Sequence, residues 1–233
     1  MKKILFSTMA MMAGSLLAAY ADPQGDVTSA AQKLAAGSNY TWRATVVVPA
    51  DSRFKPGPTD GKLDGSMTYV KMTMRDNHTE IIMDGPNTVV TDPDDGSWTK
   101  LSDLDDSQMP GRFMKMMVQN FKAPAAQAID LAGEAQSLQQ TGNSYTGPLT
   151  DDAAKNLLMF RRGPGNNASV SNPSGTVTFW VDGGQLTKFE YHVKGTITFN
   201  GNDRPQDRDT TVVISDVGTT KIDVPADAKK LLP

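Results

Sequence analysis

The chain has 233 residues, with 23 Lys and Arg against 26 Asp and Glu, two His and no Cys. The missing cysteines exclude disulfides, cysteine-ligated zinc, iron–sulfur clusters, a thiol nucleophile and a lipid anchor on an N-terminal cysteine. A net charge of −3 gives no support for nucleic-acid binding, and two histidines are too few for a histidine-rich metal site.

The N-terminal segment has the layout of a secretory signal peptide. Lys2 and Lys3 precede an apolar run over residues 4–18, and alanines at 19 and 21 precede Asp22. The run is shorter than the roughly 20 residues of a membrane-spanning helix, so a retained anchor is the less favoured alternative. We expect cleavage after residue 21, which leaves one domain over residues 22–233 with 21 basic against 26 acidic residues, a net charge of −5. The lysine pair is typical of bacterial signals and predicts a periplasmic or secreted protein.

The first predicted elements are a helix and a strand. Residues 26–37 carry alanines and a leucine at helical spacing and end at Gly37, which predicts a helix. From Asn39 to Val48, apolar and polar residues alternate, as expected of a half-buried strand. Residues 49–65 contain several prolines and two Asp-Gly pairs, and we predict a loop there.

A series of short strands follows. We predict strands over about 66–74, 78–83, 87–91 and 97–101, because turn-forming residues such as Asp84-Gly85-Pro86 separate their apolar runs. Sequential short strands joined by tight turns indicate an antiparallel meander.

The middle of the chain is predicted to be helical. Phe113, Met116, Met117 and Phe121 lie on one helical face over residues 111–121. Further apolar residues widen that face, so we expect this helix to be covered on two sides. A second helix is predicted to begin near Pro124, a short hairpin to span about 136–147, and a third helix to follow residue 150.

The last third returns to strands. Asp182-Gly183-Gly184 predicts a hairpin between strands 176–182 and 185–199, and the second arm alternates clearly. Strands over 209–216 and 220–224, and a helical turn within 225–232, complete the chain. This order predicts an α+β fold in which a strongly curved antiparallel sheet, an unclosed half-barrel, wraps around the central helices.

No catalytic constellation can be assembled from these residues. A hydrolytic triad would need His78 or His192, and His192 lies on the polar face of its predicted strand beside Glu190. Phosphate-binding loops, zinc-protease motifs and nucleophile elbows are missing from the sequence. We therefore predict a protein that is not an enzyme and has no catalytic residues and no cofactor; a hydrolase is the least favoured alternative.

Metal binding is also weakly supported. Asp92, Asp94 and Asp95 resemble part of a calcium loop that lacks its distal glutamate, and turn formation explains them better. Four methionines lie in 109–117, where thioethers could bind Cu(I) but neighbouring apolar residues favour hydrophobic packing. The basic loop 161–165 could meet a phosphate, although a solvated loop is the simpler reading. We predict no metal site.

The order of elements and several local sequences resemble a known group of carriers. These are the first helix followed by Asn39-Tyr40-Thr41-Trp42, the strand from Met67 to Met74, Met83-Asp84-Gly85 with Thr88-Val89-Val90, the central helices, and Ser215-Asp216-Val217-Gly218 to Val224-Pro225. The chain resembles lipoprotein carriers of the LolA/LolB type and lipid-binding proteins of the LppX/LprG type, and also uncharacterised secreted bacterial proteins.

The resemblance implies a half-barrel that holds acyl chains between its sheet and its helices. By this analogy the ligand would be a lipid or an acylated protein, and the lining residues would be Trp42, Met72, Met74, Phe113, Met117, Phe121, Phe189, Tyr191 and Phe199. The functional arginine of the carriers has no matching residue in this sequence, and Arg43 and Arg75 are only nearby candidates. The resemblance therefore does not imply that this protein transfers lipoproteins. The alternative is a structural or interaction protein of the cell envelope with a filled core and no small-molecule ligand.

Overall fold

A computed structural model of the protein describes residues 22–37, 39–52, 55–74, 77–92, 95–107, 109–159 and 168–233. The predicted signal peptide and the basic loop 161–165 lie outside these residues. Within the described ranges, no helix is long and apolar enough to cross a membrane.

The described residues form five α-helices and eleven strands. The helices are α1 (Pro23–Gly37), α2 (Met109–Gln119), α3 (Pro124–Glu134), α4 (Asp151–Met159) and α5 (Ala226–Lys229), with a 3-10 turn at Leu101–Asp103. The strands are β1 (Asn39–Val47), β2 (Thr59–Asp64), β3 (Met67–Met74), β4 (Asn77–Asp84), β5 (Asn87–Thr91), β6 (Trp98–Lys100), β7 (Gln139–Thr141), β8 (Ser144–Pro148), β9 (Ala168–Asp182), β10 (Gln185–Phe199) and β11 (Asn202–Ser215).

All eleven strands belong to one antiparallel sheet. Its order is β6-β5-β4-β3-β2-β1-β11-β10-β9-β8-β7, so that β1 and β11 join the N-terminal meander to the C-terminal hairpins. The terminal strands β6 and β7 do not pair with each other, and the sheet stays open. The predicted fold class, an unclosed antiparallel half-barrel around helices, is confirmed.

The core lies between one face of the sheet and the helices, and we call this face concave and the opposite face convex. Alternation along β10 places Phe189, Tyr191, Val193 and Ile197 on the concave side. A single cluster of buried residues, the main cluster, joins these side chains to residues of β1, β3–β5, β8, β9 and β11 and of α1–α4.

Four strand predictions were wrong. Residues 59–64 lie in the predicted loop but form β2, while β9 and β11 begin earlier than predicted, at Ala168 and Asn202. Conversely, the predicted strand 220–224 is not a strand. Side chains bind its backbone instead: Asn39 donates to the Thr220 carbonyl (2.8 Å), and the Ile222 amide donates to the Asp64 carboxylate (3.4 Å).

The C-terminal segment covers part of the convex face. A second buried cluster there contains Ile82, Val89, Val224 and Ala228. Ile82 alternates with Ile81, which lies in the main cluster, so β4 is apolar on both faces. The residues predicted as a final strand therefore bury their apolar side chains by lying across the sheet.

The central helix α2 has few fully buried side chains. Of its residues 111–119, Gly111 and Met114 are buried, whereas the other apolar side chains are only partly buried. Coverage of α2 on two sides stays a prediction. The broad apolar stripe of this helix is left partly accessible.

Helix α4 begins at a side-chain cap, which gives a first prediction. The Thr150 hydroxyl accepts a hydrogen bond from the Ala153 amide at 3.2 Å, as an N-cap residue does. We expect Thr150→Ala to lower the free energy of unfolding by about 1 kcal/mol in urea denaturation. Thr150→Ser keeps the hydroxyl and should retain most of the stability, whereas equal losses in the two variants would contradict a capping role.

Candidate functional site

The interior has a closed half and a looser half. In the closed half, α1 and α3 pack through small residues such as Ala31, Ala128 and Ala132, and Phe179 and Phe189 on the sheet are fully buried. In the looser half, which includes α2, several apolar side chains pack against the main cluster but are only partly buried. We call these residues the methionine-rich region: Leu63, Met72, Met83, Phe113, Met117, Val118 and Phe121.

Trp42 lies at the boundary between the two halves. Its side chain is buried on the concave side of β1, with its ring centroid 5.8 Å from that of Tyr40 and 6.2 Å from that of Phe121. Its cross-strand partner is Gly61 of β2, where a Cβ would overlap the indole ring. The large ring therefore lies against bare backbone, and the local sequence needs glycine in the middle of this strand.

Tyr40 connects the sheet to α3. Its hydroxyl accepts a hydrogen bond from the Ala125 amide at 3.5 Å, at the first turn of that helix. Burial raises the pKa of Tyr40, an effect partly offset by this amide. The phenol therefore stays neutral and serves as a polar contact within the core.

The N-terminal half of α2 is attached to the preceding segment. Lys115 donates to the Leu104 carbonyl at 2.9 Å and forms an ion pair with Asp106. A Cβ on Gly111 would overlap the Asp105 carbonyl, so only glycine permits this close approach. These contacts attach α2 to residues 104–106, while its Phe and Met side chains meet the main cluster.

Seven of the nine predicted lining residues belong to the main cluster or pack against it. Trp42, Phe189 and Tyr191 are buried, whereas Met72, Phe113, Met117 and Phe121 are partly buried. Phe199 lies at the far end of β10, outside that cluster, and the side chain of Met74 lies outside the described residues. Contact with a ligand stays a prediction for all nine.

The sequence interpretation missed other residues of this interior. Leu63 and Met83 belong to the methionine-rich region, and Leu63 escaped notice because its strand was predicted as a loop. The residues of β11 that face the concave side, among them Arg208 and Thr210, were also missed. The placing of all three aspartates of 203–209 at odd positions and of both arginines at even positions was the signal that could have identified them.

The two histidines lie on different strands of the convex face. The side chain of His78 is mostly exposed, 3.9 Å from Glu80, and His192 Nε2 lies 2.7 Å from the Asp207 carboxylate. His192 borders a shallow polar depression of about 230 Å³, with Glu190, Asp209 and several threonines.

The acidic residues that resembled a calcium loop serve a turn where the structure describes them. The Asp95 carboxylate accepts a hydrogen bond from the Ser97 amide at 2.8 Å. Hydrogen bonds from Ser97 hold the pKa of the Asp95 carboxyl below its usual range. Over the described part of the chain, no three His, Asp or Glu side chains are grouped as metal ligands.

Comparisons with known proteins give similarity at the level of structure. No family model matches the chain, and no curated protein matches its sequence. The lipoprotein LppX of Mycobacterium tuberculosis is similar with a TM-score of 0.46 and 13% identity, over 87% of this chain and 100% of that one. LprF of Mycobacterium bovis is similar with a TM-score of 0.44 and 10% identity, over 88% of this chain and 97% of that one.

Proposed function

We propose that the protein is an extracytoplasmic, non-enzymatic protein that binds a hydrophobic ligand, a lipid or an acylated protein, between its sheet and its helices. The observation that carries the proposal is the methionine-rich region. Its Phe and Met side chains are partly buried and pack against the main cluster, and they come from the concave side of β3 and β4, from α2 and from the residues just after α2.

Burial of this region on binding would supply the driving force. Removing apolar surface from water contributes about 25 cal/mol per Å², so an acyl chain that covers several partly exposed side chains gains several kcal/mol. Methionine suits this role because its unbranched, polarisable side chain adapts to ligands of different shape. The region contains three methionines from different elements: Met72 from β3, Met83 from β4 and Met117 from α2.

The compartment follows from the sequence. Residues 1–21 have the signal-peptide layout, and residues 22–233 form the proposed mature domain. The resemblance to lipid-binding carriers supports a lipid or an acyl group as the ligand. A non-enzymatic role accords with the positions of His78 and His192, which face away from the interior on separate strands.

The ligand can be sought directly. Native mass spectrometry of the gently purified mature protein should show a bound lipid, and a fluorescent fatty acid should bind with a saturable signal. A protein that is empty in repeated preparations and has no affinity for the fatty acid would overturn the proposal. That result would favour the envelope structural or interaction protein with a filled core.

Substitution within α2 tests the location of the site. Met117→Gln places an amide among apolar side chains, and we expect it to weaken binding of the fluorescent fatty acid by about tenfold, because an unpaired buried amide costs about 1–3 kcal/mol. The matched control is Met116→Gln, since Met116 is the neighbouring, partly buried methionine and does not pack against the main cluster of described residues. Equal affinities in the two variants would place the ligand elsewhere.

A further inference from the structure

The charged residues of β11 are sorted by face. Over 203–209, all three aspartates lie at odd positions, while Arg204 and Arg208 lie at even ones. Arg204 pairs across the ladder with Ile197 and Arg208 with Val193, and both partners are buried in the main cluster. Because directly opposed residues share a face, both arginines lie on the concave side and the aspartates lie on the convex side.

Two of the aspartates of β11 have hydrogen-bond partners on the convex side. Asp207 accepts from His192 Nε2 at 2.7 Å, and Asp203 accepts from the Thr198 hydroxyl at 2.7 Å. Within the described residues, neither Arg204 nor Arg208 forms an ion pair with a carboxylate. The concave side of β11 therefore carries uncompensated positive charge beside an apolar interior.

Arg208 has a buried donor without an acceptor among the described residues. Its Nη2 donates to the Leu157 carbonyl of α4 at 2.7 Å, whereas its Nε is buried and no atom of the described part of the chain accepts a hydrogen bond from it. An unsatisfied buried donor costs about 1–3 kcal/mol, and more when the group is charged. The hydrogen bond to the end of α4 satisfies one nitrogen of the guanidinium. It gives no acceptor to the Nε–H group.

Polar groups continue along this side of the interior. Thr210, buried and two residues after Arg208, pairs with Tyr191, whose hydroxyl accepts from the Gln127 amide at 3.4 Å. Arg204 lies four residues before Arg208, about 14 Å away along the strand, where the paired residues of β11 and β1 have ended. The arginines thus extend from the interior toward the uncovered edge of β11.

We propose that Arg208, with Arg204 toward the edge, binds the anionic headgroup of an amphiphile whose acyl chain occupies the apolar interior. Guanidinium donors match the oxygens of a carboxylate or a phosphate, and a headgroup oxygen would supply the acceptor that Arg208 Nε lacks. This inference rests on the proposed function and narrows its ligand class to anionic lipids.

Matched pairs of single-chain lipids test the inference by competition against a bound fluorescent fatty acid. Oleate is compared with oleyl alcohol, which lacks the carboxylate, and 1-oleoyl lysophosphatidate is compared with monoolein, which lacks the phosphate. We expect the unsubstituted protein to prefer one anionic lipid over its neutral partner by at least tenfold. The pair with the larger preference distinguishes a carboxylate headgroup from a phosphate.

Arg208→Gln should reduce that preference to about twofold while the neutral lipid still binds. The ratio separates headgroup contact from a structural role, because loss of the contact with Leu157 would weaken both lipids alike. Arg43→Gln is the matched control, since Arg43 lies on the convex side of neighbouring β1 and is bound to Asp60. It should leave the preference unchanged.

The outcomes separate the two proposals. Failure of all four lipids to bind the unsubstituted protein would overturn the proposed function. Binding without any anionic preference, or with a preference that survives Arg208→Gln, would overturn this inference alone. Should Arg208→Gln fail to fold in a thermal melt, Arg208→Lys, which keeps the charge but not the Nε donor, is measured instead, and an unchanged preference in it would overturn the inference.

Discussion

Replacement of Phe189 by alanine is expected to lower the free energy of unfolding by about 3–5 kcal/mol. Phe189 has no exposed surface, and its ring centroid lies 6.3 Å from that of Phe179 on the neighbouring strand. Removing the ring leaves a cavity that the closed half, held by β9, β10 and α1, can fill only in part. Urea denaturation measures the loss, with an unchanged m-value indicating that the denatured state is the same.

Two variants serve as controls for this prediction. Phe189→Leu keeps most of the volume and should cost less than about 1.5 kcal/mol. Phe121→Ala removes the same ring from the methionine-rich region, where Phe121 is only partly buried, so its cost should be less than half that of Phe189→Ala. Similar losses for Phe189→Ala and Phe121→Ala would contradict the division into a closed and a looser half.

This division bears on how a ligand could enter without unfolding the protein. Alanine contacts between α1 and α3 let the closed half pack tightly, and such cores resist expansion. The looser half includes α2, whose side chains give little fully buried surface and which Lys115 attaches to residues 104–106. The proposed ligand could therefore cover apolar surface in this half while β10 and its neighbours keep the fold intact.

The fold was predictable where local pattern and tertiary contacts agree. The alternation in β1 and β10, the Asp-Gly turns and the helical spacing near Phe113 each identified an element that the structure contains. The strand β2 escaped because Thr59–Asp64 has an Asp-Gly pair and little β propensity. It forms a strand because β1 and β3 pair with it on both sides and because Gly61 accommodates Trp42.

Ladder pairing also explains the long strands that the sequence did not indicate. Asn202–Arg208 is charged and contains Pro205, yet it pairs with β10 residue by residue up to the turn. The apolar alternation of β10 imposes strand geometry on a partner with a weak signal of its own. Val224 shows the reverse case. The apolar pattern around it predicted a strand, but its side chain is buried against Ile82 on the convex face in a segment that is not a strand.

For the site, the resemblance to lipid carriers implied which residues could line it, and the structure shows how those residues are arranged. The aromatic and Met residues near positions 42, 72, 113, 117 and 121 were predicted as lining, and the structure places all five in or against the main cluster. Which of them are only partly buried depends on how α2 docks, and this could not be derived from spacing. Arg208 was missed because its strand begins in a segment that was not predicted to be extended.

The contact between Gly61 and Trp42 leads to the second large effect. Gly61→Ala should lower the free energy of unfolding by about 1–3 kcal/mol, because the added Cβ overlaps the Trp42 indole, which is 4% exposed and packed between Tyr40 and Phe121. Gly133→Ala is the matched control. It lies in α3 with open space around its Cβ and should stabilise the protein by up to about 1 kcal/mol.

A double-mutant cycle assigns the cost to that contact. In a Trp42→Leu background the indole is gone, so adding Gly61→Ala should cost less than about 0.5 kcal/mol, giving a coupling energy of at least about 0.5 kcal/mol. An equal cost in both backgrounds would show that Gly61 is required for another reason. Since Trp42 separates the closed half from the methionine-rich region, Gly61→Ala should also alter fatty-acid affinity in the presence of Trp42 and not in its absence.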